Sequence, residues 1–239
     1  MIDMHSHILP EIDDGAKSIE ESIEMIKEAY KAGFTAIVST SHYIEDSYDA
    51  SKQKRYELIK IIEKRLENEN IDITIYNGAE AYVNTNLNDL IKKEELVTIN
   101  ETKYLLIELP MNNKIIYLNE IISELKDNGI IPIIAHPERY SYVQKDPKIL
   151  NDLIDQGVLF QSNYGSLIGK YGKDAQKAVK KLLKNNMIQL LGTDTHRSNS
   201  TYTQMDEIIK KFTKLLGKEK FEILSTVNPL KVIANEKII

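Results

Sequence analysis

Residues 130–140 read IIPIIAHPERY, a stretch whose apolar run ends on a histidine. Its opening run is apolar and rich in β-branched residues, with no polar alternation. Such a run suits a strand buried on both faces of a parallel sheet. Asp127-Asn128-Gly129 just before it reads as a helix exit. His136 closes the run, so the first polar side chain sits at the strand's C-terminal end.

The same pattern recurs along the chain. IDMH (2–5), FTAIVST (34–40), DITIYN (72–77), YLLIEL (104–109), GVLFQSN (157–163) and IQLLGTD (188–194) are short apolar runs of this kind. Amphipathic stretches lie between them. SIEESIEMIKEAYKAG (18–33) sets Ile19, Ile23, Ile26 and Tyr30 on one helical face. Ser18 and Glu21 form a capping box, and Gly33 supplies the stop. YELIKIIEKRLENE (56–69), LNEIISELKDNG (118–129) and AQKAVKKLLKNN (175–186) read the same way, and Asp155-Gln156-Gly157 is a second helix exit. Seven strands alternating with helices imply a parallel α/β fold. Periodicity leaves a closed barrel and an open doubly wound sheet both available.

Composition narrows the function classes. The chain has 239 residues, enough for a substantial core, and no composition shift marks a domain boundary. It contains no cysteine, which excludes disulfides, thiolate metal sites and a cysteine nucleophile. A net charge of −5 gives no basic face for nucleic acid. No run is long enough to span a membrane, and the N-terminus lacks a signal-peptide profile, so a cytoplasmic protein is expected.

The chemistry gathers at the strand ends. All five histidines fall there: His5 and His7 at the end of the first strand, His42 after IVSTS, His136 after IIPIIA, and His196 after LLGTDT. Glu80, Glu108 and Asp194 close YNGAE, LLIE and LLGTD. In a parallel α/β fold every strand points its C-terminal end the same way, so these residues converge on one rim. Packed carboxylates with few cations beside them repel one another unless a divalent ion neutralises them. Mixed nitrogen and oxygen donors suit zinc, manganese or iron. With Asp14 the candidates exceed one tetrahedral site, and two or three ions sharing a carboxylate fit better. Asp13 reads as a turn former beside Gly15. Singly, each histidine reads as well as a core or surface residue; the joint placement carries the assignment.

Other motifs carry less. GSLIGKYG (165–172) has the wrong glycine spacing for a phosphate loop and lacks Ser or Thr after Lys170, so it reads as an ordinary loop. The lysines of KKLLKNN (180–186) read as a solvated helix face. Tyr43, Tyr82, Tyr140 and Tyr164 lie near the rim, where packing is the default role.

The order HxH, a further Asp, TSH, GAE, IEL, HPER, TDTH resembles the polymerase and histidinol phosphatase (PHP) superfamily. Within it, MIDMHSHILPEIDDGAKSIEES, HPERY, GTDTH and the later NPLKVI resemble the manganese-dependent protein-tyrosine phosphatases of Gram-positive bacteria that regulate capsule and exopolysaccharide synthesis. The resemblance covers essentially the whole chain. It implies a single domain over 1–239, a distorted (β/α)7 TIM-like barrel, with three metals at the C-terminal rim. His5, His7, Glu80 and Asp194 would hold the first ion. Glu80, bridging, would hold the second with Glu108 and His136. Asp14, His42 and His196 would hold the third. Arg139 would bind phosphate; Arg197, in the divergent RSNSTYTQ segment, is a candidate second substrate contact.

The implied reaction is hydrolysis of a phosphate monoester by a metal-bound water, whose pKa falls from ~15.7 to ~7. Manganese is the expected metal, with iron or zinc as alternatives. The implied partner is the phosphotyrosine tail of a membrane-associated bacterial tyrosine kinase, with neither nucleic-acid binding nor membrane insertion. Competing readings are a small-molecule phosphatase such as one acting on histidinol phosphate, a diesterase or nuclease using the same metals, and a non-catalytic, metal-dependent kinase-docking module.

Overall fold

The computed structural model describes residues 1–238. The strands are β1 (Ile2–Ser6), β2 (Ala36–Ser39), β3 (His42–Tyr43), β4 (Thr74–Asn77), β5 (Glu80–Tyr82), β6 (Tyr104–Glu108), β7 (Ile131–Ala135), β8 (Leu159–Asn163) and β9 (Leu190–Gly192). All pair in parallel, as β1-β2-β4 and as β3-β5-β6-β7-β8-β9. β2 and β3 are one strand interrupted at Thr40-Ser41, and β4 and β5 one strand interrupted at Gly78-Ala79. The sheet therefore has the seven strand positions expected from the apolar runs. It curls until its edges meet: Ser6 bridges Thr195, Asp194 N–H donates to the His5 carbonyl (2.8 Å), and His7 N–H donates to the Thr195 carbonyl (3.0 Å). The choice left open by periodicity falls to a distorted barrel.

Arg55 explains how the interruptions are tolerated. It lies on α2 (Lys52–Asn68) and is fully buried. Its guanidinium donates to the carbonyls of Ser41 (3.1 Å), Gly78 (3.2 Å) and His42 (2.8 Å). Carbonyls that leave the ladder at the two breaks thus keep a donor, as buried backbone groups must.

Two layers of apolar packing follow from strand alternation. Ile2, Met4, Val38, Leu106, Ile133 and Leu190 fill the barrel interior, floored by Val232 and Ile238 from the C-terminal segment. Ile37, Leu105, Ile107, Ile134, Phe160 and Leu191 face outward against the helices. α1 (Ile19–Lys31) is capped as expected: Glu21 N–H donates to Ser18 Oγ at 3.2 Å, and Gly33 takes φ +87°. Its buried face differs from the expected one. Met25 and Ala29 turn inward with Ile23 and Ile26, leaving Tyr30 44% exposed. α2 begins earlier than expected, because Ser51 Oγ caps Lys54 N–H. No helix among the described residues is long and apolar enough to cross a membrane.

Candidate metal centre

β1 carries the decisive irregularity. Asp3 pairs with Ile37 but Ser6 pairs with Ser39, so β1 holds one extra residue, a bulge. Ile2 and Met4 already face the interior, and regular alternation would send His5 outward. The extra residue turns His5 into the barrel as well, the re-aiming that bulges provide beside sites. Gly192 makes this approach feasible, since a Cβ there would lie 2.5 Å from His5 Cβ.

Four donors then meet. His5 Nε2 lies 3.2 Å from His7 Nε2, 3.1 Å from Glu80 Oε2 and 3.6 Å from Asp194 Oδ1. His7 Nε2 lies 3.3 Å from Glu80 Oε2 and 3.5 Å from Asp194 Oδ1. A tetrahedron of ligands ~2.0–2.1 Å from an ion has edges of about 3.3 Å, which these spacings match. The second carboxylate oxygen, Glu80 Oε1, lies 3.0 Å from His136 Nε2, and Glu108 Oε1 lies 3.6 Å from the same nitrogen. A third group forms at the rim, with Asp14 Oδ1 3.3 Å from His196 Nε2 and 3.7 Å from His42 Nε2. His42 also sets Nδ1 3.2 Å from Glu80 Oε2, so its ring stands between the last two groups. All nine expected ligand residues are thus brought together at one rim, with Glu80 in contact with His5, His7, His42 and His136.

The electrostatics match a cation site. Glu80 Oε2 and His42 Nδ1 are buried without a hydrogen-bond partner, which is costly unless another ligand takes them. Burial disfavours the His5 imidazolium, but Glu80 and Asp194 outweigh it and hold its pKa at about 9. Burial and the Glu80 charge push Glu108 up to about 8. Burial and the neighbouring His7 pull His196 down to about 4. Asp194 stays well below the usual range despite burial, because His5, His136 and Arg139 surround it.

The family described as "Capsular polysaccharide synthesis, CpsB/CapC" matches residues 1–234. The chain belongs to the CpsB/CapC family. It is 32% identical over 238 residues to "Tyrosine-protein phosphatase YwqE" of Bacillus subtilis, covering all of this chain and 93% of that one. It is 31% identical over 243 residues to "Tyrosine-protein phosphatase CpsB" of Streptococcus pneumoniae, covering both fully. Its fold superposes with a TM-score of 0.92 and 31% identity, over 100% of this chain and 96% of the other, on a crystal structure from work on YwqE and CpsB. That work describes those two proteins as unique metal-dependent tyrosine phosphatases. Histidinol phosphate phosphatase of Lactococcus lactis shares the fold at a TM-score of 0.58 and 13% identity, over 90% and 93% of the two chains.

Several further polar residues of this CpsB/CapC chain hold the candidate ligands in place. Asp13 does shape the turn, accepting from Gly15 N–H at 2.8 Å. It also pairs with His7 Nδ1 at 2.8 Å and accepts from His42 N–H at 2.8 Å. Gln161 Oε1 lies 2.8 Å from His5 Nδ1. Asn163 Nδ2 donates to Asp194 Oδ2 at 2.8 Å. Glu138, fully buried in HPER, accepts from Ser162 Oγ (2.6 Å), Asn163 N–H (2.8 Å) and Ser166 Oγ (2.6 Å), which anchors the segment holding Arg139. Gln161 and Asn163 had a legible signal, since they sit two apart at the end of an apolar strand, as His5 and His7 do.

Arg139 reaches the centre and donates from Nη1 to Asp194 Oδ2 at 2.6 Å. Arg197 lies on the rim, but its Nη1 donates to the carbonyls of Asp14 (2.7 Å), Gly15 and His196 (2.6 Å). It fastens the Asp14 turn to the His196 loop. Tyr43, Tyr140 and Tyr164 are buried packing residues, as the default reading has it.

Proposed function

We propose that this chain is a single-domain, cytoplasmic, metal-dependent protein-tyrosine phosphatase acting on the phosphotyrosine tail of a membrane-associated bacterial tyrosine kinase of capsule or exopolysaccharide synthesis. The observation that carries it is the convergence of nine nitrogen and oxygen candidate ligand residues, Glu80 among them, in three adjoining groups at one rim, with Arg139 beside them. The ligand sets are His5, His7, Glu80 and Asp194; Glu80, Glu108 and His136; and Asp14, His42 and His196. Manganese is the proposed metal, in two or three ions, its imidazole and carboxylate donors also suiting iron or zinc. Bound ions would supply a nucleophilic hydroxide at neutral pH and offset phosphoryl charge.

The protein's own groups set the geometry. With Nδ1–H directed to Gln161 in His5 and to Asp13 in His7, each imidazole presents the Nε2 lone pair inward. The Arg139 guanidinium, half-buried beside Asp194, binds two phosphoryl oxygens and draws the dianion onto the centre. The chain has no cysteine, so a cysteinyl-phosphate intermediate is closed to it. A phenolate of pKa ~10 leaves more readily than an alkoxide, which favours an aryl phosphate.

The test is turnover, with manganese, of a phosphotyrosine peptide, histidinol phosphate and a phosphodiester. Preference for the peptide by at least about tenfold in kcat/KM is expected. Preference for histidinol phosphate or the diester would overturn the substrate assignment.

A further inference from the structure

The segment GSLIGKYG reads as an ordinary loop in the sequence, yet it ends against the phosphate-binding arginine. Arg139 Cζ lies 4.7 Å from the centroid of the Tyr171 ring. The Tyr171 hydroxyl lies 3.4 Å from Asp194 Oδ2, the oxygen that also receives Arg139 Nη1 at 2.6 Å and Asn163 Nδ2 at 2.8 Å. The ion pair holds one edge of the guanidinium but leaves its plane free to turn. A ring face against that plane removes the freedom. Among the described residues the Arg139 side chain makes no other hydrogen bond than that to Asp194, so the rest of its fork is open to a ligand.

The loop is built to hold the ring there. Lys170 N–H donates to the Gly165 carbonyl at 3.1 Å and Gly172 N–H to the Gly169 carbonyl at 3.0 Å. Gly169 and Gly172 take φ +89° and +92°, a region that other residues reach only under strain. A Cβ on Gly165 would lie 2.9 Å from Lys170 Cδ, so the glycine makes room for the lysine stem. Lys170 Nζ then donates to Ser200 Oγ (2.9 Å) and Thr201 Oγ1 (2.7 Å), tying this loop to the one that follows His196. The lysine ammonium lies 5.8 Å from the centroid of the Tyr171 ring, so the lysine packs beside the ring that reaches Arg139.

We propose that Tyr171 is the positioning residue of the phosphate site: its ring fixes the Arg139 guanidinium plane so that the fork presents two N–H groups to a phosphate-monoester dianion. This rests on Arg139 as the phosphate-binding group. The role is one of affinity and orientation. Removing the ring raises KM and weakens inorganic phosphate binding while kcat and metal content hold.

The experiment compares metal-loaded wild type, Tyr171→Leu, Tyr171→Phe, Arg139→Ala and the Arg139→Ala/Tyr171→Leu double variant. Readouts are metal content, KM and kcat on a phosphotyrosine peptide, and calorimetric affinity for inorganic phosphate. Tyr171→Leu is expected to raise KM and the phosphate Kd about tenfold, with kcat within about twofold. Tyr171→Phe, which keeps the ring, restores both. In the Arg139→Ala background the leucine substitution adds no more than about twofold, because the ring then has nothing to orient. An unchanged KM and Kd in Tyr171→Leu, or the same loss with and without Arg139, overturns the proposal. If Tyr171→Leu loses metal or fold, Tyr171→Phe decides: a tenfold loss there overturns the ring as the operative group, and wild-type values support it. Wild-type phosphate affinity in Arg139→Ala would instead overturn Arg139 as the phosphate-binding group, an outcome distinct from either failure of Tyr171.

Discussion

Asp13 shows how much one carboxylate can hold. It pairs with the His7 ring, the His42 backbone and the Gly15 turn at once. Its carboxyl stays well below the usual range although burial opposes this, because His7 sits against it. The carboxylate–imidazole pair orients His7 and makes it a better donor, an effect worth about 10–100-fold in metal affinity. Asp13→Asn should therefore weaken manganese binding by that factor, read by competition with a chromophoric chelator. Unchanged affinity would reduce Asp13 to its turn. The sequence showed Asp13 only as a turn former because Asp-Asp-Gly is sufficient for a turn; the second role depends on where His7 points. Asp14, its neighbour, was a candidate ligand by family resemblance, and the structure brings it to His42 and His196.

At the scale of elements, the apolar runs located all seven strand positions because burial on both faces leaves a continuous hydrophobic signature. The interruptions at Thr40-Ser41 and Gly78-Ala79 were not legible. They depend on Arg55, which comes from a helix and supplies hydrogen bonds that no local pattern records. The β1 bulge was equally hidden, because it exists only relative to the β2 register. Gly192 is its counterpart on β9. Gly192→Ala would press a methyl group onto His5, whose Cβ lies 2.5 Å away. A destabilisation of about 1–3 kcal/mol is expected, together with reduced metal content. Chemical denaturation with chelator present, followed by metal analysis, checks both. Stability and metal content equal to wild type would show that the two strands have room to spare.

The whole molecule couples its stability to the charge state of the centre. Without metal, His5 holds its proton up to about 9 against an ordinary 6.5, and Glu108 holds one up to about 8 against 4.5. Between pH 6.5 and 8 the native state therefore binds these protons more tightly than the unfolded chain does, so stability falls as pH rises. His196, pulled down to about 4, acts in the opposite direction, but below 6.5. Chelated protein should thus lose Tm steadily from pH 6.5 to 9, while manganese-loaded protein loses less, because the ion takes over from the protons. Thermal scans with and without chelator measure this, and a chelated Tm that rises across the window would contradict the charge arrangement. If Glu80 is shared between ions as proposed, its loss removes both metal and turnover. Metal content and phosphotyrosine-peptide turnover in Glu80→Gln, beside wild type, test it most directly. Two or three ions per wild-type chain are expected, with loss of at least one of them in the variant and turnover reduced by at least about a hundredfold. Full metal content with wild-type turnover in Glu80→Gln would contradict it.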